Sequence, residues 1–361
     1  MIKHMILVAS ILCCTTGVYS QEDVKVLSQT EVEQLKTQMP LAAETAYNEG
    51  ILAFQAKNYT VAAEKYSAAI NAYPAFEMAF YNRGLCYEAL KNNDNALADF
   101  QKAVELNPNN SDALYKLSSM YDATGNKEKS EEYLNKAIAV NPKNTQVLYK
   151  RSTNYFMQKE YDKALADLNE IILLDPSNAF AYNDRGSVYK LQNKIDEAIA
   201  DYKKATLLDK SLVIAHNNLG SAYRKKGQFD LAIKAFDAAI ALDKQFYLAY
   251  NNRGFARFEK GDFDGAIADF DLTIALKNDY AAAYNNKASV YLKQEKWNDA
   301  VKMCDKAIQL NAELGSAYYN RGIAYEMLRN PKQSCQDWSK AAELGIEAAN
   351  SYYSNSECYK F

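Results

Sequence analysis

The sequence predicts an all-α protein, a right-handed α-solenoid of about nine 34-residue helix–turn–helix repeats with a capping helix at each end. Two lattices carry that expectation. Pro40, Pro74, Pro108, Pro142 and Pro176 stand 34 residues apart. Gly50, Gly84, Gly186, Gly220, Gly254 and Gly322 keep multiples of the same 34-residue step, and Ser118, Ser152 and Ala288 fill its gaps with small residues. A fixed period in this range marks a stacked array, in which each unit buries its apolar face on the next.

The chain begins with a stretch that reads as a secretory signal over residues 1–20. Lys3 and His4 are followed by an apolar run from Ile6 to Cys14, and Val18-Tyr19-Ser20 has the form of a cleavage site. The expected setting is therefore exported, periplasmic or secreted. A lipid anchor on Cys13 or Cys14 is the alternative, but Leu12 stands where lipidation signals carry a small residue. Residues 21–42 follow as a linker and N-terminal capping helix. Its signs are the apolar stripe Val32, Leu35, Met39 and a Thr30-x-x-Glu33 capping box.

Nine repeats then fill residues 43–348 in one register, with the lattice glycine at position 8. Position 20 is Ala or Ser throughout. Position 24 is large in most repeats (Tyr66, Phe100, Leu134, Leu168, Tyr202, Phe236, Phe270 and Trp338) and Cys304 in the eighth. Position 27 is mostly Ala, and position 11 is Tyr except at Ala53 and Arg257. Small residues at 8, 20 and 27 let two helices approach, and the large residue at 24 fills the space they leave. The tyrosine at 11 packs toward the neighbouring repeat. Proline at position 32 ends the second helix. Its loss after the fourth repeat predicts softer or longer helix ends there. Asn330-Pro331 suits an N-cap and first helical turn.

Residues 349–361 form the C-terminal capping tail, with Gly345 as the preceding helix stop. An antiparallel helix pair there would bring Cys335 to Cys358. A disulfide between them and two unpaired thiols are both open, since the Cα separation decides. Cys304 reads as core filler, and Cys86 carries no signal.

These repeats resemble the tetratricopeptide repeat family, and the Ala342-Glu343-Leu344-Gly345 ending of an exported chain resembles bacterial envelope proteins. The resemblance implies that positions 2, 5, 6, 9, 12 and 13 of the first helices line a concave groove. Position 6 is Asn48, Asn82, Lys116, Lys150, Asp184, Asn218, Asn252, Asn286 and Asn320. An amide offers the donors and acceptor that a peptide bond needs, so this ladder suits an extended backbone of any sequence. It is similar to the asparagine ladder in the tetratricopeptide domain of the O-linked N-acetylglucosamine transferases. The alternative is that these amides bond only within the array.

Position 5 is Tyr47, Tyr81, Tyr115 and Tyr149 in the first four repeats, then Asn183, Asn217, Asn251 and Asn285. The tyrosines either supply contact area in the groove or pack within the array. With Lys116 and Lys150 beside them, that half suits an acidic or apolar partner. The full carboxylate clamp that some family members use is absent.

Composition excludes other classes. A net charge of −3 argues against a phosphate-gripping nucleic-acid binder, and no apolar run reaches membrane-spanning length. Only His4 and His216 are histidines, and His216 reads as a core residue. No metal-ligand cluster, phosphate loop or nucleophile–base pair is legible, so neither a cofactor nor an enzyme activity is expected. The expected function is a non-enzymatic scaffold holding a protein or extended peptide in the groove. The alternative is a structural component that self-assembles or joins an envelope complex through its convex face or ends.

Overall fold

The protein was described from a computed structural model covering Lys25, residues 39–355 and Cys358. The expected signal at 1–20, and the expected linker and capping helix at 21–42 apart from Lys25 and residues 39–42, lie outside the described residues. Two compact units divide the chain, Met1–Pro176 and Ser177–Phe361.

In the first unit the repeats are α1 (Leu41–Gln55) with α2 (Tyr59–Ala72), α3 (Glu77–Ala89) with α4 (Asn93–Leu106), α5 (Ser111–Ala123) with α6 (Lys127–Val140), and α7 (Thr145–Met157) with α8 (Tyr161–Leu174). The second unit continues with α9 (Ala179–Leu191), α10 (Ile195–Leu208), α11 (Val213–Lys225), α12 (Phe229–Leu242), α13 (Tyr247–Lys260) and α14 (Phe263–Leu276). It closes with α15 (Ala281–Lys293), α16 (Trp297–Leu310), α17 (Gly315–Met327), α18 (Pro331–Glu343) and α19 (Glu347–Asn355). Each odd helix from α1 to α17 packs antiparallel on the even helix that follows it, and no strand occurs among the described residues. The two helices of one repeat can bury their inner faces only by stacking on the next repeat, and the core runs through each unit as clusters shared by neighbouring repeats.

The close approach within a repeat follows from positions 8 and 24. A Cβ added to Gly220 would stand 2.7 Å from Cε1 of the buried Phe236, and one on Gly84 would meet Phe100 at the same 2.7 Å. Where position 8 carries a Cβ, the partner is smaller: Ser118 faces Leu134, Ser152 faces Leu168 and Ala288 faces Cys304 in the same register. The two columns share one volume.

Between the two helices of every repeat, position 15 adopts positive φ. Gly125, Gly227 and Gly261 do so at no steric cost, whereas Lys57, Lys91, Lys159, Asn193, Glu295 and Arg329 hold φ between 58° and 65° with a Cβ present. The tight turn is thus set by the packing of the flanking helices. Asn58, Asn92, Asn126, Asp262 and Asn330 cap the helices that follow by accepting from a backbone N–H. Pro331 occupies the first turn of α18. The second helices of repeats five to eight end at Leu208, Leu242, Leu276 and Leu310, the register position of Ala72, Leu106, Val140 and Leu174. Loss of the lattice proline therefore lengthens none of them, because the extended residue at position 31 stops each one.

An ion-pair column ties the repeats together. Arg83, Arg151, Arg185, Arg253 and Arg321 at position 7 each form paired hydrogen bonds with Asp99, Asp167, Asp201, Asp269 and Asp337 at position 23. The remaining guanidinium nitrogen of four of them reaches position 25 of the preceding repeat, at Ser67, Asn135, Asp237 and Asp305. The guanidinium also lies against rings three residues before and four after it, as Arg321 does with Tyr318 and Tyr325 at 5.5 and 5.9 Å. This stacking gives many of the tyrosines at positions 4 and 11 their place. The tyrosine at 11 also reaches the neighbouring repeat, as Tyr155 Oη donates to Glu131 at 2.9 Å.

At the C-terminal end, Gly345 turns with φ 85° and α19 packs back on α18. Cys335 and Cys358 form a disulfide with their Cα atoms 5.4 Å apart. Cys86 and Cys304 are free and buried, and burial pushes the Cys86 thiol up to about 12, which keeps it inert. His216 is half-buried, and its Nε2 lies 3.2 Å from the Lys210 carbonyl oxygen, so it tops the turn before α11 instead of sitting in the core.

Candidate functional site

The odd helices of each unit share one face, which carries positions 5 and 6. In the first unit the clearest site lies at Asn82 of α3, whose side chain is fully buried. Asn82 Oδ1 accepts from the backbone N–H of Lys25 at 3.0 Å, and Asn82 Nδ2 donates to the Lys25 carbonyl oxygen at 2.9 Å. Tyr47 Oη of α1 donates to the same carbonyl at 2.5 Å, and Asn82 Nδ2 also donates to Tyr47 Oη at 2.9 Å. Both donors and the acceptor of the amide are engaged. One peptide residue is held by both of its polar backbone groups, without reference to its side chain.

The tyrosines divide by burial. Tyr47 and Tyr81 are buried, with rings packed on Phe76 at 4.5 Å and Phe100 at 5.8 Å respectively, so Tyr47 offers the face only its hydroxyl. Tyr115 and Tyr149 are half-buried, and Asn48 is exposed.

The lysines do not give the basic face that the sequence suggests. Lys116 Nζ lies 3.0 Å from Glu88, and Lys150 pairs with Asp122. Both bonds run from position 6 back to position 12 of the preceding repeat, so each cation is neutralised inside the array. The expectation of an acidic partner loses its basis for that reason.

In the second unit the position-6 asparagines make one repeated bond. Asn218, Asn252, Asn286 and Asn320 Nδ2 donate to Oδ1 of Asn183, Asn217, Asn251 and Asn285 at 3.1, 3.0, 3.0 and 2.9 Å. Each bond joins position 6 of one repeat to position 5 of the repeat before, as Asn82 joins Tyr47. The ladder therefore does bond within the array, yet one N–H and Oδ1 of each position-6 amide are not consumed by that bond. Asn320 uses its other donor on Ser289 Oγ at 3.0 Å. Asn217 Nδ2 is buried and has no hydrogen-bond partner among the described atoms. Asp184 replaces asparagine in the fifth repeat; burial pushes its carboxyl up to about 7, and Asn183 Nδ2 donates to it at 3.0 Å.

Tetratricopeptide repeat profiles match residues 35–77, 78–110, 111–144, 146–178 and 281–313, and a further profile of the same repeat matches 186–223 and 220–261. The chain belongs to the tetratricopeptide repeat family. Among solved structures, a tetratricopeptide repeat protein from Parabacteroides merdae is similar with a TM-score of 0.60 and 18% identity, covering 68% of this chain and 98% of that one. A chain of the APC/C hetero-tetramer Cut9-Hcn1 is similar with a TM-score of 0.56 and 17% identity, covering 91% of this chain and 80% of its own. At such identities the likeness concerns the tetratricopeptide fold. No curated protein sequence matches the chain. The fold is consistent with a protein-interaction scaffold. Among the described residues no group of His, Cys, Asp and Glu could hold a metal ion, and no helix is long and apolar enough to cross a membrane.

Two features escape a reading by recurring residue type. The Arg–Asp column is visible only when positions 7 and 23 are compared as a pair: Glu49 with Lys65 reverses the charges, and Leu117 with Tyr133 or Leu219 with Ala235 removes them together. The bond from position 6 to the preceding position 5 is a 35-residue spacing that becomes meaningful only once the stacking is known.

Proposed function

We propose that this tetratricopeptide repeat protein is a non-enzymatic scaffold that holds an extended peptide segment of a protein partner along its first-helix faces. The observation that carries this reading is the grip of Asn82 on both backbone groups of Lys25. In an extended chain the N–H and C=O of one residue point to the same side, so a single amide can take both. Asn218, Asn252 and Asn286 repeat the register and the array bond of Asn82, which leaves their remaining amide groups placed for the same use. Recognition of this kind reads backbone first and leaves side-chain selectivity to the neighbouring positions.

The scaffold acts outside the cytoplasm in this proposal. The signal pattern of residues 1–20 and the Cys335–Cys358 disulfide both support an oxidising compartment.

The reading is tested by selecting decapeptides from a random library on the full chain, then measuring their affinity for the Asn218→Ala, Asn252→Ala, Asn286→Ala triple variant. Each lost hydrogen bond is worth roughly 1 kcal/mol, so the triple variant should bind at least tenfold more weakly. Unchanged affinity, or no peptide recovered, would reject the groove.

A further inference from the structure

Three odd helices of the first unit converge on Lys25: Tyr47 from α1, Asn82 from α3 and Asp112 from α5. The first two take its backbone, and Asp112 pairs with its ammonium group. We infer that this face takes an extended peptide bearing a lysine or arginine, and that the chain's own Lys25 is its resident occupant. The inference rests on the function proposed above and narrows it, for the first unit, from any extended backbone to a basic one.

The chemistry beside Lys25 is acidic. A cleft of about 430 Å³ adjoins it, lined by Glu77, Asn110 and Asp112 among others, with Asn110 Nδ2 bonded to the Glu77 carboxylate. Asp112 also lies in the first turn of α5, and Glu77 in the first turn of α3. The cations that would draw an acidic partner are occupied, Lys116 by Glu88 and Lys150 by Asp122. Every described group that meets the Lys25 backbone is an uncharged donor or acceptor, and the charge that meets its side chain is negative.

A tethered occupant has a high effective concentration, on the order of millimolar for a short linker. An outside peptide must therefore displace Lys25, and it competes best by offering the same pair of features. The face is filled in the absence of a partner and opens to one that presents a basic residue in an extended backbone.

The test uses the full chain carrying Lys25→Pro, which deletes the N–H that Asn82 reads and lies outside the helices, so the repeats keep their fold. A labelled decapeptide of the chain's own residues 21–30 and a twin with glutamate in place of the lysine are titrated by fluorescence anisotropy. The lysine peptide should bind the Lys25→Pro chain at least tenfold more tightly than it binds the unaltered chain, whose competent fraction is reduced by self-occupancy, as a reduced competent population requires. The glutamate twin should bind about fivefold more weakly or worse, the scale of a partly exposed ion pair. Asp112→Lys in the Lys25→Pro chain should reverse that order. Equal affinity for the two chains would overturn self-occupancy, and equal affinity for the two peptides would overturn the basic preference. In either case the groove reading stands if Asn82→Ala weakens both peptides. Binding of neither peptide overturns this inference as well, while the library peptides, read out through the Asn218→Ala, Asn252→Ala, Asn286→Ala triple variant, judge the groove separately.

Discussion

Removing the guanidinium of Arg321 while leaving Asp337 in place should strongly destabilise the last repeat. Arg321 Nε and Nη2 bond the two carboxylate oxygens of Asp337 at 2.8 and 2.7 Å, and Asp337 is only 7% exposed at its side chain. Burial already holds this carboxyl above its ordinary range, with Arg321 pulling the other way. An unpaired buried charge costs about 3–5 kcal/mol, so Arg321→Leu should lose roughly that much, lessened by the 20% exposure of the arginine. Replacing both partners, Arg321→Leu with Asp337→Ala, reproduces the Leu219 and Ala235 pair of the sixth repeat and should return to within about 1 kcal/mol of the parent. The single variant also has a pH signature. Without Arg321 the folded-state carboxyl lies further above its unfolded value of about 4, so the destabilisation is full at pH 7 and shrinks as pH falls through the folded-state value. The assay is urea unfolding followed by the fluorescence of Trp338, buried in the same helix, at pH 7 and pH 5. A single-variant loss below about 1 kcal/mol, or a double variant as unstable as the single, would refute the reasoning.

Three further outcomes follow from the same geometry. Glu295→Gly, at φ 58°, should raise stability by about 1 kcal/mol by relieving the left-handed conformation, read as a higher Tm; no rise would mean the turn is unstrained. Reducing Cys335–Cys358, which closes a loop of sequence separation 23, should cost about 3 kcal/mol, localised by hydrogen exchange to α18 and α19; unchanged protection there would contradict it. Asp184→Asn restores the residue type of the later repeats and removes a carboxyl whose folded value is raised to about 7. Such a group costs stability as pH rises from about 4 to 7, so the variant should be more stable than the parent at pH 8 and alike at pH 4. Equal Tm values at both pH values would oppose this account.

Much of the fold is legible because the repeat imposes the same volume on the same positions each time. Gly220 with Phe236, or Ser118 with Leu134, can be read from the sequence as columns of small and large residues. The turn at position 15 is harder to see, since Lys57, Glu295 and Arg329 there lack the glycine that usually announces positive φ. The site is legible in half. The asparagines at position 6 declare a regular set of amides, but their bond to position 5 of the preceding repeat depends on how far one repeat rises over the next. Lys116 and Lys150 look like free charge in a sequence because Glu88 and Asp122 sit 28 residues earlier. Lys25 belongs to no repeat, so nothing periodic could place it against Asn82.

The central claim is that asparagine amides hold a peptide by its backbone. Methylating one backbone nitrogen of a bound peptide removes a single donor and leaves the side chains intact. The most direct measurement compares the affinity of the full chain for a library-selected peptide with that for its N-methyl twins, one position at a time. The account predicts at least tenfold weaker binding at each residue whose N–H meets an asparagine Oδ1, with the remaining positions tolerant, from a lost bond plus an unsatisfied buried acceptor of about 1–3 kcal/mol. Affinity unchanged by methylation at every position would contradict it.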